Sequence, residues 1–536
     1  MRFLALFLAV CSLSPVLAQQ RLDEMSLDRW AKLRETERYQ LQIAEKYYRE
    51  KNWKVALSEY EKYLTLYEQS EAAPYAQLKW SLSQVMLRKA NTAIKDGFQS
   101  VIDYWPDSAD SVAASYYIGK TYKDIGQLSK AKKAYSQLVS QSSKHLAAVY
   151  AMADMIEIAG IEKNEKMRVD LWRKLTFDIP RSKYAASHCS NASRQLAAHY
   201  FSLAAFDQGV QALATTYKPQ AALTPQVTSH LATPLSRLIA DSKTQAQGEK
   251  LADLAIAYLK ENTPTDLGEE AAKQQAVQIW FSIADLHHRA RRPNQVVETF
   301  ETMLKRFGKD DAILAKLAQW RIGQGQFDLA REVYRRYENK IEGNSQIALS
   351  YRRQKKHDSA VAIYQQLIGL DPENVLRWKA EIAAAYREVP KYKEAIAFYT
   401  QLMQEDIEQA DRWRWQIATA YKDAGQHKEA IGFFRQCVNF PENYKQMARC
   451  HRHLKQHNEA LLLYNQIAGG HETSAPWALL QAAYTREEAN QKEAAIRGFQ
   501  LLCKRYPKSS YASTAHAHLQ NKYKLSITLG GAKDED

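Results

Sequence analysis

A short pattern of residues recurs along most of this 536-residue chain. In its clearest copy, at residues 382–386, an apolar residue is followed at once by a small one and three positions later by an aromatic one (Ile-Ala-Ala-Ala-Tyr). The pattern returns at residues 417–421, and each copy precedes a second small residue with an aromatic residue four positions further on. Other copies begin at Ile43, Ile118, Ile347 and Met447. A period of about 34 residues indicates a repeat array, in which each unit buries its apolar face against its neighbours.

The spacing within one repeat predicts two packed helices. Residues three and four positions apart lie on one face of a helix, so each half of the pattern forms an apolar stripe. Small residues such as Ala383 and Ala395 allow close approach of the helices, and the aromatic residues fill the gap to the next repeat. Polar turns containing glycine separate the halves at residues 124–127, 323–326 and 423–426. Glycine (19) and proline (14) are otherwise scarce, which disfavours a turn-rich β fold.

In period and pattern the chain resembles the tetratricopeptide-repeat superfamily. The resemblance implies an all-α superhelical solenoid, and about twelve copies are recognisable over most of the chain, followed by a closing helix predicted at residues 513–523. Residues 104–119 and 505–515 are similar to the repeats of cell-division coordinators of the Tol-Pal system. The N-terminal third is similar in style to outer-membrane assembly lipoproteins.

The repeat pattern is interrupted once. Residues 219–234 contain three prolines and no repeat motif, and a second break follows at Asn-Thr-Pro, residues 262–264. We therefore predict an N-terminal tetratricopeptide segment at residues 24–218, a proline-interrupted helical link at 219–276, a C-terminal array with its closing helix at 277–523 and a polar tail at 524–536. The link is either a hinge or a set of diverged repeats that remain stacked.

Residues 1–18 have the pattern of a signal peptide. One arginine precedes an apolar run over residues 3–13, which is too short to span a bilayer, and Val-Leu-Ala at residues 16–18 suits a signal peptidase. Val10 precedes Cys11, where lipid attachment would require a small residue. We expect cleavage after Ala18 and export across the inner membrane to the periplasm, without a transmembrane segment in the mature chain.

The sequence contains no motif of a known catalytic site. It lacks a phosphate-binding glycine loop, a nucleophile elbow, a dinucleotide fingerprint and a zinc-protease motif, so we predict no enzyme activity and no cofactor. The formal net charge of +14 favours acidic partners, membrane headgroups or anionic polymers. Nucleic acid is disfavoured as a partner because the protein is expected to be exported.

One group of residues has the chemistry of metal ligands: Cys437, Cys450, His453 and His457. The repeat register places them on different helices and beyond a turn, where they should not converge on one ion. We therefore predict no metal site and interpret these side chains as packing cysteines and turn histidines. The same register disfavours a disulfide between the two cysteines.

The candidate binding residues lie on the first helix of successive repeats. Four are cations near the end of that helix, and three more are expected on the same concave face: Arg352, Arg387, Lys422 and Arg452, with Trp415, Lys445 and Arg449. As a basic ladder with an aromatic platform, they suit acidic side chains or a terminal carboxylate. Alternatively, a cation in the last turn only offsets the helix dipole. That alternative does not explain Trp415, Lys445 or Arg449.

These observations predict a non-catalytic scaffold of the bacterial cell envelope that binds peptides or helices of partner proteins on the concave face of the repeats. Two alternatives stay open. The chain could be an accessory subunit that recruits a cell-wall or outer-membrane assembly enzyme, or a basic surface that binds an anionic envelope polymer. Polymer binding should weaken steeply with salt, whereas a groove specific for side chains should be less sensitive.

Overall fold

The computed structural model describes residues 22–526, which are helical and contain no strand. The chain divides into two compact units, residues 1–303 (unit 1) and 304–536 (unit 2). The predicted signal peptide and residues 527–536 of the predicted polar tail lie outside the described residues.

The described part of unit 1 consists of fifteen helices and the start of a sixteenth, within which the division at residue 303 falls. They are α1 (Leu27–Lys32), α2 (Glu35–Arg49), α3 (Trp53–Leu66), α4 (Ala73–Met86), α5 (Ala90–Thr92), α6 (Gln99–Tyr104), α7 (Ala109–Asp124), α8 (Leu128–Gln141), α9 (Leu146–Ile161), α10 (Glu165–Arg173), α11 (Ala186–Ser202), α12 (Phe206–Ala214), α13 (Gln220–Ala240), α14 (Gln245–Glu261), α15 (Glu270–Arg289) and α16 (Pro293–Phe307). Two π-helical segments, Ala93–Phe98 and Lys174–Asp178, continue α5 into α6 and extend α10.

The helices of unit 2 are more uniform in length than those of unit 1 and follow one another through short turns. They are α17 (Asp311–Gly323), α18 (Phe327–Arg335), α19 (Lys340–Arg353), α20 (His357–Leu370), α21 (Val375–Glu388), α22 (Tyr392–Glu405), α23 (Ala410–Asp423), α24 (His427–Arg435), α25 (Glu442–His453), α26 (His457–Gly470), α27 (Ala475–Glu488), α28 (Lys492–Arg505) and α29 (Ser510–Tyr523). With α5 and α6 counted as one helix and α13 and α14 left out, α2 to α28 form twelve pairs. The predicted repeat number and closing helix are confirmed.

The small residues of the repeat pattern lie where the paired helices touch. Ala383 in α21 and Ala395 in α22 are fully buried in one apolar cluster with Tyr399. In unit 1, Gly119 takes the place of this alanine, and a Cβ atom there would come within 2.4 Å of the Tyr135 ring. The close approach of the two helices therefore depends on the small side chains that the sequence pattern repeats.

In all but one of the twelve pairs, the turn between the two helices contains one residue with positive φ, and the exception is the turn between α21 and α22. Gly425 has φ +75° between α23 and α24, and Lys455 has φ +58° at the same place between α25 and α26. Glycine adopts this conformation without steric cost, whereas lysine does so only where the surrounding packing fixes the turn. The helix pairs of unit 2 thus hold their turn geometry with or without glycine.

A buried tryptophan connects neighbouring repeats in unit 2. The Trp378 side chain is fully buried, its ring stacks on Tyr364 with centroids 6.2 Å apart, and its Nε1 donates to Asp371 Oδ2 at 3.0 Å. Trp413 makes the same two contacts one repeat later, with Tyr399 and Asp406. A stacked ring with a satisfied N–H is a strong packing element, because the indole is buried without an orphaned donor.

The predicted link differs in one respect from the expectation. Pro225 and Pro234 lie inside the continuous helix α13 rather than breaking it. A proline removes one helical hydrogen bond, but Leu231 and Leu235 of the same helix are fully buried, and this packing outweighs the lost bond. The apolar side chains of α13 and α14 belong to the same core cluster as those of α11 and α15. The predicted domain boundaries stay a prediction.

No helix among residues 22–526 is both long and apolar enough to cross a membrane. The four cysteines in this range are buried free thiols, and burial raises the pKa of Cys437 and of Cys450 to about 11. No three potential ligands come together at a metal site in the described part of the chain.

Candidate functional site

The predicted ladder cations lie in the last turns of successive first helices of unit 2, where they contact the next repeat. They are Arg352 in α19, Arg387 in α21, Lys422 in α23 and Arg452 in α25. Each donates a hydrogen bond to a side chain on the first helix of the following repeat. The ladder therefore runs along one surface, formed by α19, α21, α23, α25 and α27, which we call the first-helix surface.

Arg352 makes ion pairs with two carboxylates of α21. Its Nη1 lies 2.5 Å from Glu381 Oε2, and its Nε donates to Glu388 Oε2 at 3.2 Å. Burial opposes the charge of Arg352, but the hydrogen bonds and the attraction of Glu388 raise the pKa of the guanidinium above its ordinary value. The charge of Arg352 is thus already compensated within the protein.

Arg452 repeats this arrangement 100 residues later. Its Nη1 donates to Gln481 Oε1 at 2.9 Å, and its Nε donates to Glu488 Oε2 at 3.0 Å. The hydrogen bond to Glu488 raises the pKa of Arg452, and the same bond holds the pKa of Glu488 below its usual value. Both groups keep their charges at neutral pH and fasten α25 to α27.

The two middle ladder cations bond neutral amides. Arg387 Nη1 donates to Gln416, and Lys422 Nζ donates to Gln446 Oε1 at 3.2 Å. Compensation of the helix dipole would not require these partners. The ladder therefore has a role that neither sequence interpretation included, because its cations clamp each repeat to the next.

This clamp leads to a stability prediction. Replacement of Arg352 by alanine leaves two carboxylates without their shared cation, and we expect a loss of about 1.5–3 kcal/mol in the free energy of unfolding. Arg387→Ala leaves only a neutral amide and should cost less. Urea denaturation of the two variants and the wild type measures the difference. Equal losses in both variants would contradict the assignment of the ion pairs as the stronger clamp.

Two of the predicted binding cations share an aromatic ring. Lys445 Nζ and Arg449 Cζ, both on α25, lie 5.1 Å and 5.7 Å from the ring centroid of Trp477 on α27. Lys445 also pairs with Glu442 at 2.7 Å. Arg449 is exposed and has no carboxylate within ion-pair distance among residues 22–526. We call Lys445, Arg449 and Trp477 the Trp477 cluster, a cation–π arrangement with one open guanidinium.

The binding role of Trp415 stays a prediction. Its half-buried ring lies edge-to-face with Phe434, 4.9 Å away, and packs against the apolar cluster of α23 and α24. The aromatic platform beneath the cations is Trp477, which the sequence analysis missed. The repeat spacing could have indicated Trp477. Arg352 and Arg452 each bond a residue 29 positions further along, on the next first helix, and Trp477 follows Arg449 by 28 positions.

An open cleft of about 610 Å³ adjoins the Trp477 cluster. It is lined by Arg449, Arg452, His453, Lys455, His457 and Glu488. Glu488 is bound by Arg452, so the exposed cations Arg449 and Lys455 determine the charge that the cleft offers to a ligand. The buried Nδ1 of His457 has no hydrogen-bond partner in the described part of the chain. This chemistry suits a carboxylate or another anionic oxygen group.

Beside the cleft, the rings of His427 and His453 stack with centroids 4.7 Å apart. Burial, together with the neighbouring charges of His453 and Lys422, lowers the pKa of His427. The unfolded chain, with a histidine pKa of about 6.5, therefore binds more protons than the folded chain once the pH falls toward and below that value. The contribution of neutral His427 to the free energy of unfolding is therefore complete above about pH 6.5 and is lost at lower pH.

We accordingly predict that the melting temperature falls between pH 7.5 and pH 5.5, and that it falls less in His427→Phe. Phenylalanine keeps a ring against His453 but cannot be protonated. Scanning calorimetry at the two pH values gives the two changes in melting temperature. The same change in wild type and variant would rule out His427 as a source of the pH dependence.

Four segments of the chain match family models described as tetratricopeptide repeat. Residues 113–145, 346–374 and 477–509 match one such model, and residues 414–444 match another. These segments coincide with the helix pairs α7–α8, α19–α20, α27–α28 and α23–α24. The last three of these pairs contribute α19, α23 and α27 to the first-helix surface.

No curated protein matches the chain. Among solved structures, it is similar to the C-terminal part of a tetratricopeptide-repeat protein from Cytophaga hutchinsonii (16% identity, 44% of this chain and 98% of that one, TM-score 0.32). It is also similar to yeast Tom70 (12%, 92% and 99%, 0.28) and to a tetratricopeptide-repeat protein from Parabacteroides merdae (10%, 52% and 98%, 0.23). Similarities this low do not bear on function. From its matched segments and helix pairs, the chain contains tetratricopeptide repeats.

Proposed function

We propose that the protein is a non-catalytic scaffold that binds an acidic segment of a partner protein on the first-helix surface of unit 2. The tetratricopeptide repeats support a role in protein–protein interaction. The observation that carries the finer proposal is the Trp477 cluster, in which the exposed Arg449 lies against an aromatic ring and has no acidic partner in the described range. A carboxylate bound there would gain a charge-assisted hydrogen bond beside an apolar surface.

The distribution of charge favours an acidic peptide over an anionic polymer. Arg352 and Arg452 are paired with carboxylates, so the predicted ladder does not offer a continuous row of open cations. Among the residues that line the cleft, Arg449 and Lys455 are exposed cations with no carboxylate partner in the described range. A polymer that binds by charge alone would need many uncompensated cations along its length.

We also propose that the scaffold acts in the bacterial cell envelope after export to the periplasm. Support comes from the signal-peptide pattern of residues 1–18 and from the similarity of residues 104–119 and 505–515 to Tol-Pal cell-division coordinators. The partner would then be an envelope protein. Recruitment of a cell-wall or outer-membrane assembly enzyme is the second candidate, since such an enzyme could carry the acidic segment.

Site-specific photo-cross-linking in cells tests the binding proposal. A photoreactive residue at position 453, which is exposed and lines the cleft, should capture a partner whose cross-linked peptide is rich in Asp and Glu. The same residue at position 428, exposed on the second helix α24, is the matched control and should not capture it. The product should also disappear in the Lys445→Ala/Arg449→Ala background. Equal capture from both positions would contradict the proposal.

The proposed export predicts a particular N-terminus for the mature protein. We expect the mature protein to begin at Gln19, to carry no acyl group and to be released with the periplasmic fraction, because Val10 before Cys11 does not suit lipid attachment. Mass spectrometry of the purified N-terminus measures this. An N-terminus at Met1, or a lipid-modified Cys11, would contradict it.

A further inference from the structure

The first-helix side of unit 1 is already occupied by a segment of the same chain. Residues 22–26 precede α1 without helical structure and contact α2, α4 and α7, the first helices of three successive pairs. Asp23 and Met25 are buried there, whereas Glu24 between them is exposed. After a turn at residues 22 and 23, the segment therefore directs Asp23 and Met25 toward the helices and Glu24 toward solvent.

The carboxylate of Asp23 is bound by groups from two of those helices. Lys79 Nζ on α4 lies 3.2 Å from Asp23 Oδ2 and also donates to the Asp23 carbonyl oxygen at 3.4 Å. Tyr117 on α7 donates its hydroxyl to Asp23 Oδ1 at 3.3 Å. The Lys79 and Asp23 side chains are only 4% and 6% exposed.

Lys79 has a second set of partners that do not depend on the segment. Its Nζ lies 3.7 Å from Glu45 Oε1 and 3.5 Å from the ring centroid of Tyr48, both on α2. Glu45 is in turn held by the hydroxyls of Tyr60 and Tyr75, at 2.5 Å and 2.9 Å. If residues 22–26 left the groove, Lys79 would remain positioned and compensated, and the groove would keep its shape.

We propose that the groove formed by α2, α4 and α7 is a binding site for an extended acidic peptide, and that residues 22–26 of this chain occupy it as an exchangeable internal ligand. The ligand class is a carboxylate side chain followed, two residues later, by an apolar side chain, as in Asp23 and Met25. The Asp23 carboxylate makes the ion pair with Lys79 and the hydrogen bond with Tyr117, so its removal should weaken the hold on the segment strongly. Because Lys79 keeps Glu45 as a partner when the segment leaves, the internal contact is suited to exchange.

This site is independent of the Trp477 cluster, which lies in unit 2, so either proposal can fail alone. An internal ligand lowers the apparent affinity for an external one by the fraction of molecules in which the groove is open. Removal of the Asp23 carboxylate should open the groove and raise that affinity.

The test uses the purified protein and a labelled peptide with the sequence of residues 19–28. In fluorescence anisotropy, Asp23→Ala should bind the peptide at least tenfold more tightly than wild type, whereas Glu24→Ala, the exposed neighbour, should behave as wild type. Binding should be lost when the peptide carries Asn in place of its Asp. It should also weaken at least threefold when Tyr117→Phe, a conservative change, is added to Asp23→Ala.

Hydrogen exchange provides the second readout. In Asp23→Ala, amides of residues 24–33 should exchange faster, and added peptide should restore protection to α4 and α7. Failure of the released variant to bind peptide would overturn the proposal, as would unchanged exchange in residues 24–33. A wild-type dimer that becomes monomeric in Asp23→Ala would also overturn it, because the occupant would then belong to a second copy.

Discussion

Replacement of both Lys445 and Arg449 by alanine should weaken binding of the acidic partner segment at least tenfold without lowering the melting temperature. Arg449 is exposed, and Glu442, the carboxylate partner of Lys445, is about half exposed, so the double replacement leaves no buried carboxylate. A hydrogen bond between charged groups contributes about 1.5–3 kcal/mol, and 1.4 kcal/mol corresponds to a factor of ten in affinity. Isothermal titration with the segment recovered by cross-linking gives the two dissociation constants.

The control for this experiment is Lys428→Ala/Arg435→Ala. It removes the same number of positive charges, at two exposed positions of α24, a second helix of unit 2, and should leave affinity near that of the wild type. A comparable loss of affinity in the control would mean that net charge, rather than the Trp477 cluster, drives binding. Arg352 and Arg452 are unsuitable for this purpose, because their removal also breaks contacts between repeats.

The second large effect concerns stability. Trp378→Ala should lower the free energy of unfolding of unit 2 by about 3–5 kcal/mol, since it deletes a fully buried indole and leaves a cavity between two repeats. It also removes the stacking on Tyr364 and leaves Asp371 without its indole donor. Because contacts in repeat proteins are local, α20 and α21 should be the first helices to lose protection from hydrogen exchange. Urea unfolding followed by hydrogen exchange measures both effects.

Trp378→Phe separates packing from hydrogen bonding. It keeps an aromatic ring against Tyr364 but cannot donate to Asp371, so its cost should lie well below that of the alanine variant. A loss below about 1 kcal/mol in Trp378→Ala would contradict the account of this side chain as a main contact between repeats.

The helix pairs were predictable because their determinants are local. The small residues Ala383 and Ala395 and the glycine turn at residue 425 each lie within one repeat, where spacing alone fixes their helix and face. The closing helix was placed within three residues of its observed start at Ser510. The prolines of α13 were misjudged because the packing of Leu231 and Leu235, which opposes their local effect, is tertiary.

The site was only partly predictable, because its decisive contacts join different repeats. Position in the helix identified Arg352 and Arg452 but not the carboxylates that bind them, 29 or 36 residues further along. The same distance in sequence concealed the contact of Arg449 with Trp477, which lies 28 residues further along. The contact of Asp23 with Lys79 joins residues 56 positions apart and has no counterpart in the repeat pattern.

The most direct test of the central claim is to locate the bound segment on the protein. Amide hydrogen exchange of the purified protein, with and without the acidic segment recovered by cross-linking, reports which helices the segment covers. We predict added protection in α25 and α27, which carry the Trp477 cluster, with little change in the second helices α24 and α26. Protection confined to second helices, or protection in α25 and α27 that persists unchanged in Lys445→Ala/Arg449→Ala, would contradict binding at this surface.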